Sequence, residues 1–274
     1  MEISRYQEVL GTFDRMLAHA IQVGNLLAKL NSDDEKSIYV NAIFTKLVCH
    51  ALTLRKISPT LGQEVAGELW DISSACAIAR ALIETYEAFA YISASKTQPG
   101  ETEFRVILWE LHDLQRRIKM LNQIGSSNPE INSMETKVTS LQSRVINHQM
   151  FLKCSKNTQT KIKNGEAPPY HLSQFELNSM CGINHEYHNT ATMALSQYVH
   201  TLPMAIHQLM SFRAGDLESL HMCSMPIQYS MAFLAKAVAE VTEQLPVKVN
   251  NPPEETTRDL EFWLEIAQNG INHI

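Results

Sequence analysis

Two stretches of this chain carry residue types that could do chemistry. In HEYHNTATMALSQYVH, residues 185–200, His185, His188, Thr192, Ser196 and His200 recur at three- and four-residue steps. At 100° per residue they share one drifting stripe of a helix. Imidazoles and small hydroxyls, with no Lys or Glu among them, suit a tight contact in which every donor needs a partner, or a functional pocket. In DISSACAIARALIETYEAFAYI, residues 71–92, Arg80 and Glu84 lie one turn apart between uncharged flanks. A guanidinium in such a place needs a carboxylate and further acceptors, because unpaired buried charge is costly. Glu84 supplies the first, and Ser196 or neutral His200 the second. The expectation is a buried cluster of Arg80, Glu84, Ser196 and His200, with Thr192 and His188 beside it, that is structural or closes on a small anionic ligand held by Arg80.

These residues also carry a resemblance. RALIE (80–84), preceded by DISS and followed by AFAYI, together with LSQYVH (195–200), resembles a bacterial all-helical family of unknown function in which Arg-x-x-x-Glu is followed downstream by Ser-x-x-Val-His. The likeness spans residues 35–205. That family often has a tyrosine four residues before the serine; here Thr192 stands there, with Tyr187 and Tyr198 on either side. The resemblance implies that Arg80, Glu84, Ser196 and His200 meet in space, and it brings no established activity.

A second arrangement, Arg105-x6-His112, is similar to the catalytic signature of the helical ribonucleases known as HEPN domains. That likeness implies a phosphate-stabilising Arg105 and an acid or base at His112 acting on a 2'-hydroxyl. Val106 departs from the polar residue usual after the arginine. His112, Arg105 and His200 are thus the catalytic candidates. Glu218-x-x-His221 is half of a di-iron motif, and His185 and His188 could ligate from one helix face, but the second Glu-x-x-His pair is missing. No metal and no cofactor is expected.

Helices must position all of these groups, since three- and four-residue apolar spacing dominates the chain. The spacing predicts helices over 4–30, 35–57, 63–95, 184–200, 203–212, 216–244 (kinked or restarted near Pro226) and 254–268, with Ser32 or Asp33 capping the second. Between them, 101–124 and 131–163 read as a hairpin of two long helices joined by GSSNPE. The second limb is polar on most faces, with a thin stripe of Val138, Leu141, Val145, Phe151 and Leu152. The reading is all-α: a multi-helix bundle formed by residues 1–100 and 166–274, with a protruding basic two-helix arm over 101–165.

Charge sets that arm apart. Arg105–Lys163 holds ten Lys and Arg against four acids, whereas the rest holds 13 bases against 25 acids. Nucleic acid phosphate or an acidic protein is the partner expected along Arg116, Arg117, Lys119, Lys153, Lys156, Lys161 and Lys163. Few aromatics interleave them, so base stacking is not signalled. Five scattered cysteines with no Cys-x-x-Cys pair argue for thiols in a reducing compartment. The runs IQVGNLLAKL and AFLAKAVAEV are interrupted by polar residues, and the first residues lack an apolar leader. A cytoplasmic protein without a membrane span is therefore expected, with self-association as a further expectation.

Overall fold

The computed structural model describes residues 2–30, 34–61, 70–95, 97–245 and 251–271, which contain eleven α-helices and no strand. The chain divides into two compact units, Met1–Ala90 with Asn178–Ile274, and Tyr91–Leu177.

In the first unit, α1 (Ile3–Leu27) packs on α2 (Glu35–Ile57) and on α10 (Leu217–Gln244), and α10 packs on α11 (Glu254–Asn269). On α1, Tyr6, Leu10, Phe13, Met16, Leu17, Ala20 and Val23 turn inward at helical spacing. On α3 (Ile72–Ser93), Ile72, Cys76, Ala79, Ile83, Tyr86 and Ala90 are all buried, as their spacing predicts. Phe44 meets Phe89 at 5.9 Å and Tyr86 meets Phe233 at 5.7 Å between ring centroids.

Several expectations need correction. Asp34 caps α2, its carboxylate accepting from the Ser37 N–H at 3.0 Å; Ser32 and Asp33 lie outside the described residues, as do residues 63–69 of the third predicted helix. The spacing of Ile38, Ala42, Ile43, Leu47, Ala51 and Leu54 predicts the inward stripe of α2, but the buried stripe begins at Val40 and Phe44, leaving Ile38 55% exposed. Apolar groups surround the first turns of α2, so spacing alone does not fix which face turns inward. That helix is also long and apolar enough to cross a membrane by length and composition. Pro226 sits within α10, which continues through it as one helix without a restart, and the Ser230 hydroxyl donates to the Pro226 carbonyl at 2.7 Å.

In the second unit, α4 (Glu101–Gln123) pairs with α5 (Glu130–Asn147). Gly125 adopts φ +65° and ends α4, the Ser126 N–H reaching back to the Leu121 carbonyl at 2.9 Å. The expected single helix over 131–163 is instead α5, a 3-10 turn (Gln149–Lys153) and α6 (Lys156–Lys163). Side chains compete with the helix at each break: His148 Nδ1 accepts from the Met150 N–H, and Ser155 Oγ from the Thr158 N–H. The break folds Met150, Phe151, Cys154 and Ile162 onto Phe104, Leu108, Leu111 and Val145 to make a core for this unit. Leu152, expected on the stripe, is 80% exposed.

Candidate functional site

Asn184 starts α8 (His185–Val199), its side chain accepting from the Tyr187 N–H at 2.9 Å. Along α8 the hydroxyls bond back to their own helix, Thr192 Oγ1 to the His188 carbonyl at 2.9 Å and Ser196 Oγ to the Thr192 carbonyl at 2.6 Å. That leaves a Ser196 lone pair for Arg80, whose Nη1 donates to Ser196 Oγ at 3.1 Å and to the Thr192 carbonyl at 2.9 Å. Arg80 Nε donates to Glu84 Oε1 at 2.8 Å. Arg80, Glu84, Thr192 and Ser196 therefore do come together between α3 and α8.

The cluster differs from expectation in two respects. It is open to solvent, with the Arg80 and Glu84 side chains 30% and 55% exposed. His200 is not among the Arg80 partners: α8 ends at Val199, Thr201 turns to φ +53°, and His200 falls on the exposed cap. The buried imidazole is His188, one turn before Thr192, whose Nε2 lies 2.6 Å from Glu87 Oε1. Glu87 stands seven residues beyond Arg80 on the same face of α3, a spacing that could have signalled it. The arrangement is a polar seam that ties two helices together, and among the described residues no group of three or more His, Cys, Asp or Glu stands together as a metal site.

The two groups of the Arg105-x6-His112 pattern separate. Arg105 is 3% exposed, with Nε and Nη2 on Glu101 Oε1 at 3.1 and 2.5 Å, Nη1 on the Tyr91 carbonyl at 2.7 Å, and its guanidinium carbon 4.9 Å from the centroid of the Tyr91 ring. The Tyr91 hydroxyl lies 2.8 Å from His171 Nδ1. Burial, with Arg105 adding to it, pushes the His171 imidazole down to about 4. Burial opposes the charge on Glu101, but the Gln98 N–H and Arg105 hold its carboxyl below the usual range. This is a closed ionic cluster in which the arginine presents nothing to a substrate.

His112 is different. Its Nδ1 lies 2.7 Å from the Ala167 carbonyl, and since a carbonyl only accepts, Nδ1 carries the proton and Nε2 the lone pair of the neutral ring. Gln115, one turn on, accepts the Ala167 N–H at 2.8 Å. Both residues line a cavity of about 320 Å3 that Arg116 and Lys119 of α4 and Lys161 of α6 also enter. Gln115 Nε2 is buried and finds no hydrogen-bond partner among the described residues. Of the other basic residues, Arg117 pairs with Asp113 at 2.7 Å, Lys153 bonds Gln98, Lys163 lies over the Phe151 ring, and Lys156 is exposed at the start of α6. Glu166 lines the cavity too, so three cations stand against one carboxylate, and with the unpartnered Gln115 amide this arrangement can hold an anion beside His112.

A family model described as a family of unknown function, DUF5677, matches residues 64–216. No curated protein and no solved structure matches the chain.

Proposed function

This chain belongs to the DUF5677 family of unknown function, and since membership brings no activity with it, we propose from the site's chemistry that the protein binds nucleic acid through its Tyr91–Leu177 unit. The observation that carries this reading is the cavity that gathers His112, Arg116, Lys119 and Lys161. Cations at spaced positions and a paucity of aromatic groups beside them favour phosphate over bases, so binding is independent of sequence. The Arg80 seam is architectural in this reading: its guanidinium already has a carboxylate, a carbonyl and a hydroxyl as partners.

Fluorescence anisotropy with a labelled RNA oligonucleotide tests it. Three neutralised phosphates give a slope of about -2 to -3 in log K against log salt. Replacing Arg116, Lys119 and Lys161 together with Ala flattens that slope, while replacing the exposed Lys137 leaves it unchanged. Unaltered binding in the triple variant overturns the reading, and retention of acidic polypeptide in place of RNA assigns the cavity to a protein partner.

The His112 tautomer favours a second reading, a HEPN-like ribonuclease. Nε2 would take the proton of a 2'-hydroxyl, with Arg116 or Lys119 meeting the phosphate where Arg105 does not reach. Cleavage of total RNA by purified protein, lost in His112→Ala and kept in His200→Ala, is the result this reading requires.

A further inference from the structure

The first unit contains a larger cavity of different chemistry, about 880 Å3, bounded by α1, α8, α9 (Pro203–Ser211), α10 and α11. Its walls are aromatic and sulfurous: Tyr187 and Tyr198 from α8, Met225 and Tyr229 from α10, Phe262 and Trp263 from α11. Charged side chains line it as well, Arg5 with Glu8, and Arg258 and Asp259, which pair with Glu254 and Arg15, so acids and bases are matched in number and the rings supply the unpaired surface; a volume of this order is usual for a small-molecule site. The rings offer flat faces and positive edges to another ring. The methionine is unbranched and adjusts its shape to what lies against it.

One polar atom in that wall is unsatisfied. Tyr187 is 5% exposed, its ring 6.1 Å from Phe233 and 6.2 Å from Tyr229, and its hydroxyl has no hydrogen-bond partner among the described residues. Tyr198, by contrast, donates to Gln208 Oε1. A buried hydroxyl without a partner carries a desolvation penalty that a matching acceptor removes. The Tyr187 oxygen exposes less than 1 Å2 to water, so a ligand acceptor meets it only when the side chains around it shift.

Independently of the nucleic-acid reading, we infer that this cavity binds an uncharged, planar aromatic molecule whose ring lies among Tyr198, Tyr229 and Trp263 and whose single acceptor atom takes the Tyr187 hydroxyl proton in a hydrogen bond. The acceptor distinguishes the ligand class from simple aromatic hydrocarbons.

Quinoline and naphthalene, alike in shape and differing by one acceptor nitrogen, are the probes, titrated into the full chain and followed by ligand-observed NMR. Wild type binds quinoline about two- to tenfold more tightly than naphthalene, the range of one net hydrogen bond. Tyr187→Phe removes that preference, keeps naphthalene binding, and leaves the thermal unfolding midpoint at or above the wild-type value. Val9→Trp, on the half-buried α1 wall, fills the space and weakens both probes at an unchanged midpoint. The inference is overturned if neither probe binds saturably, if wild type binds the two equally, or if the quinoline preference persists in Tyr187→Phe.

Discussion

Arg105 and His112 stand two turns apart on α4 and have opposite surroundings, the guanidinium sealed against Glu101 and the imidazole open to a cationic cavity. Sequence spacing put them on one helix face, where a shared catalytic role is the natural reading. Burial separates them, because Arg105 belongs to the ionic cluster with Glu101, Tyr91 and His171, whereas His112 holds a surface loop.

Breaking the sealed pair leaves a charge buried alone. Glu101→Ala is expected to lower unfolding free energy by about 3 to 5 kcal/mol in urea denaturation. A loss under about 1 kcal/mol would show that water reaches Arg105.

Stability depends on pH through His171. In the unfolded chain its imidazole protonates near the ordinary 6.5, in the folded chain only near about 4. Between these values the unfolded chain binds the additional proton, so stability is full above pH 6.5 and falls as pH falls, by up to about 1.4 kcal/mol per pH unit. Glu101, held below the usual carboxylate range, extends the loss to lower pH. His19 and His50 are also lowered by burial, so the comparison of wild type with His171→Gln isolates this residue. Identical pH profiles for the two proteins would remove His171 from the account.

The seam between α3 and α8 should divide unequally. Glu84 is over half exposed, and Glu84→Ala is expected to cost under about 1 kcal/mol, as exposed pairs do. Arg80→Ala also removes two hydrogen bonds to α8 and costs about 1 to 3 kcal/mol. Adding Ser196→Ala to Arg80→Ala should cost less than the sum of the two single losses, measured as a double-mutant cycle.

Thiol chemistry gives a separate check. Burial pushes Cys76 and Cys223 up to about 12, and Cys154 and Cys181 up to about 11, while Cys49 is exposed. Ellman's reagent should therefore modify one thiol promptly in the native protein, and Cys49→Ser should abolish that phase. Prompt reaction of several thiols would contradict the burial.

Much of the fold was legible because helical spacing is a local signal: the buried stripe of α3 follows from its sequence alone. The phase of α2 was not, since its apolar residues surround the axis and only its neighbours select a face. The division of the limb after α5 was missed because His148 and Ser155 act through side-chain bonds to nearby N–H groups, which leave no trace in hydrophobic periodicity. In the seam, Arg80 and Ser196 were legible from charge and hydroxyl spacing. The same stripe names both His188 and His200, but a stripe on paper continues past the point where the helix stops, and only His188 lies in the seam. Lys161 and His112 lie far apart in sequence, so their shared cavity depends on the fold of the second unit. The orphaned hydroxyl of Tyr187 has no sequence signature at all.

Ala167 is followed by Pro168 and Pro169, which have no N–H, so of these three residues Ala167 alone offers both a backbone donor and a backbone acceptor. His112 grips one side of it and Gln115 the other. The rear wall of the cationic cavity thus hangs from the same ring that faces the guest. Natural drift at either position would alter the shape of the chamber along with its chemistry, since Gln115 also carries the unpartnered amide. The pair works as hook and eye, so the fastening of the loop and the recognition of the guest rest on the same two side chains.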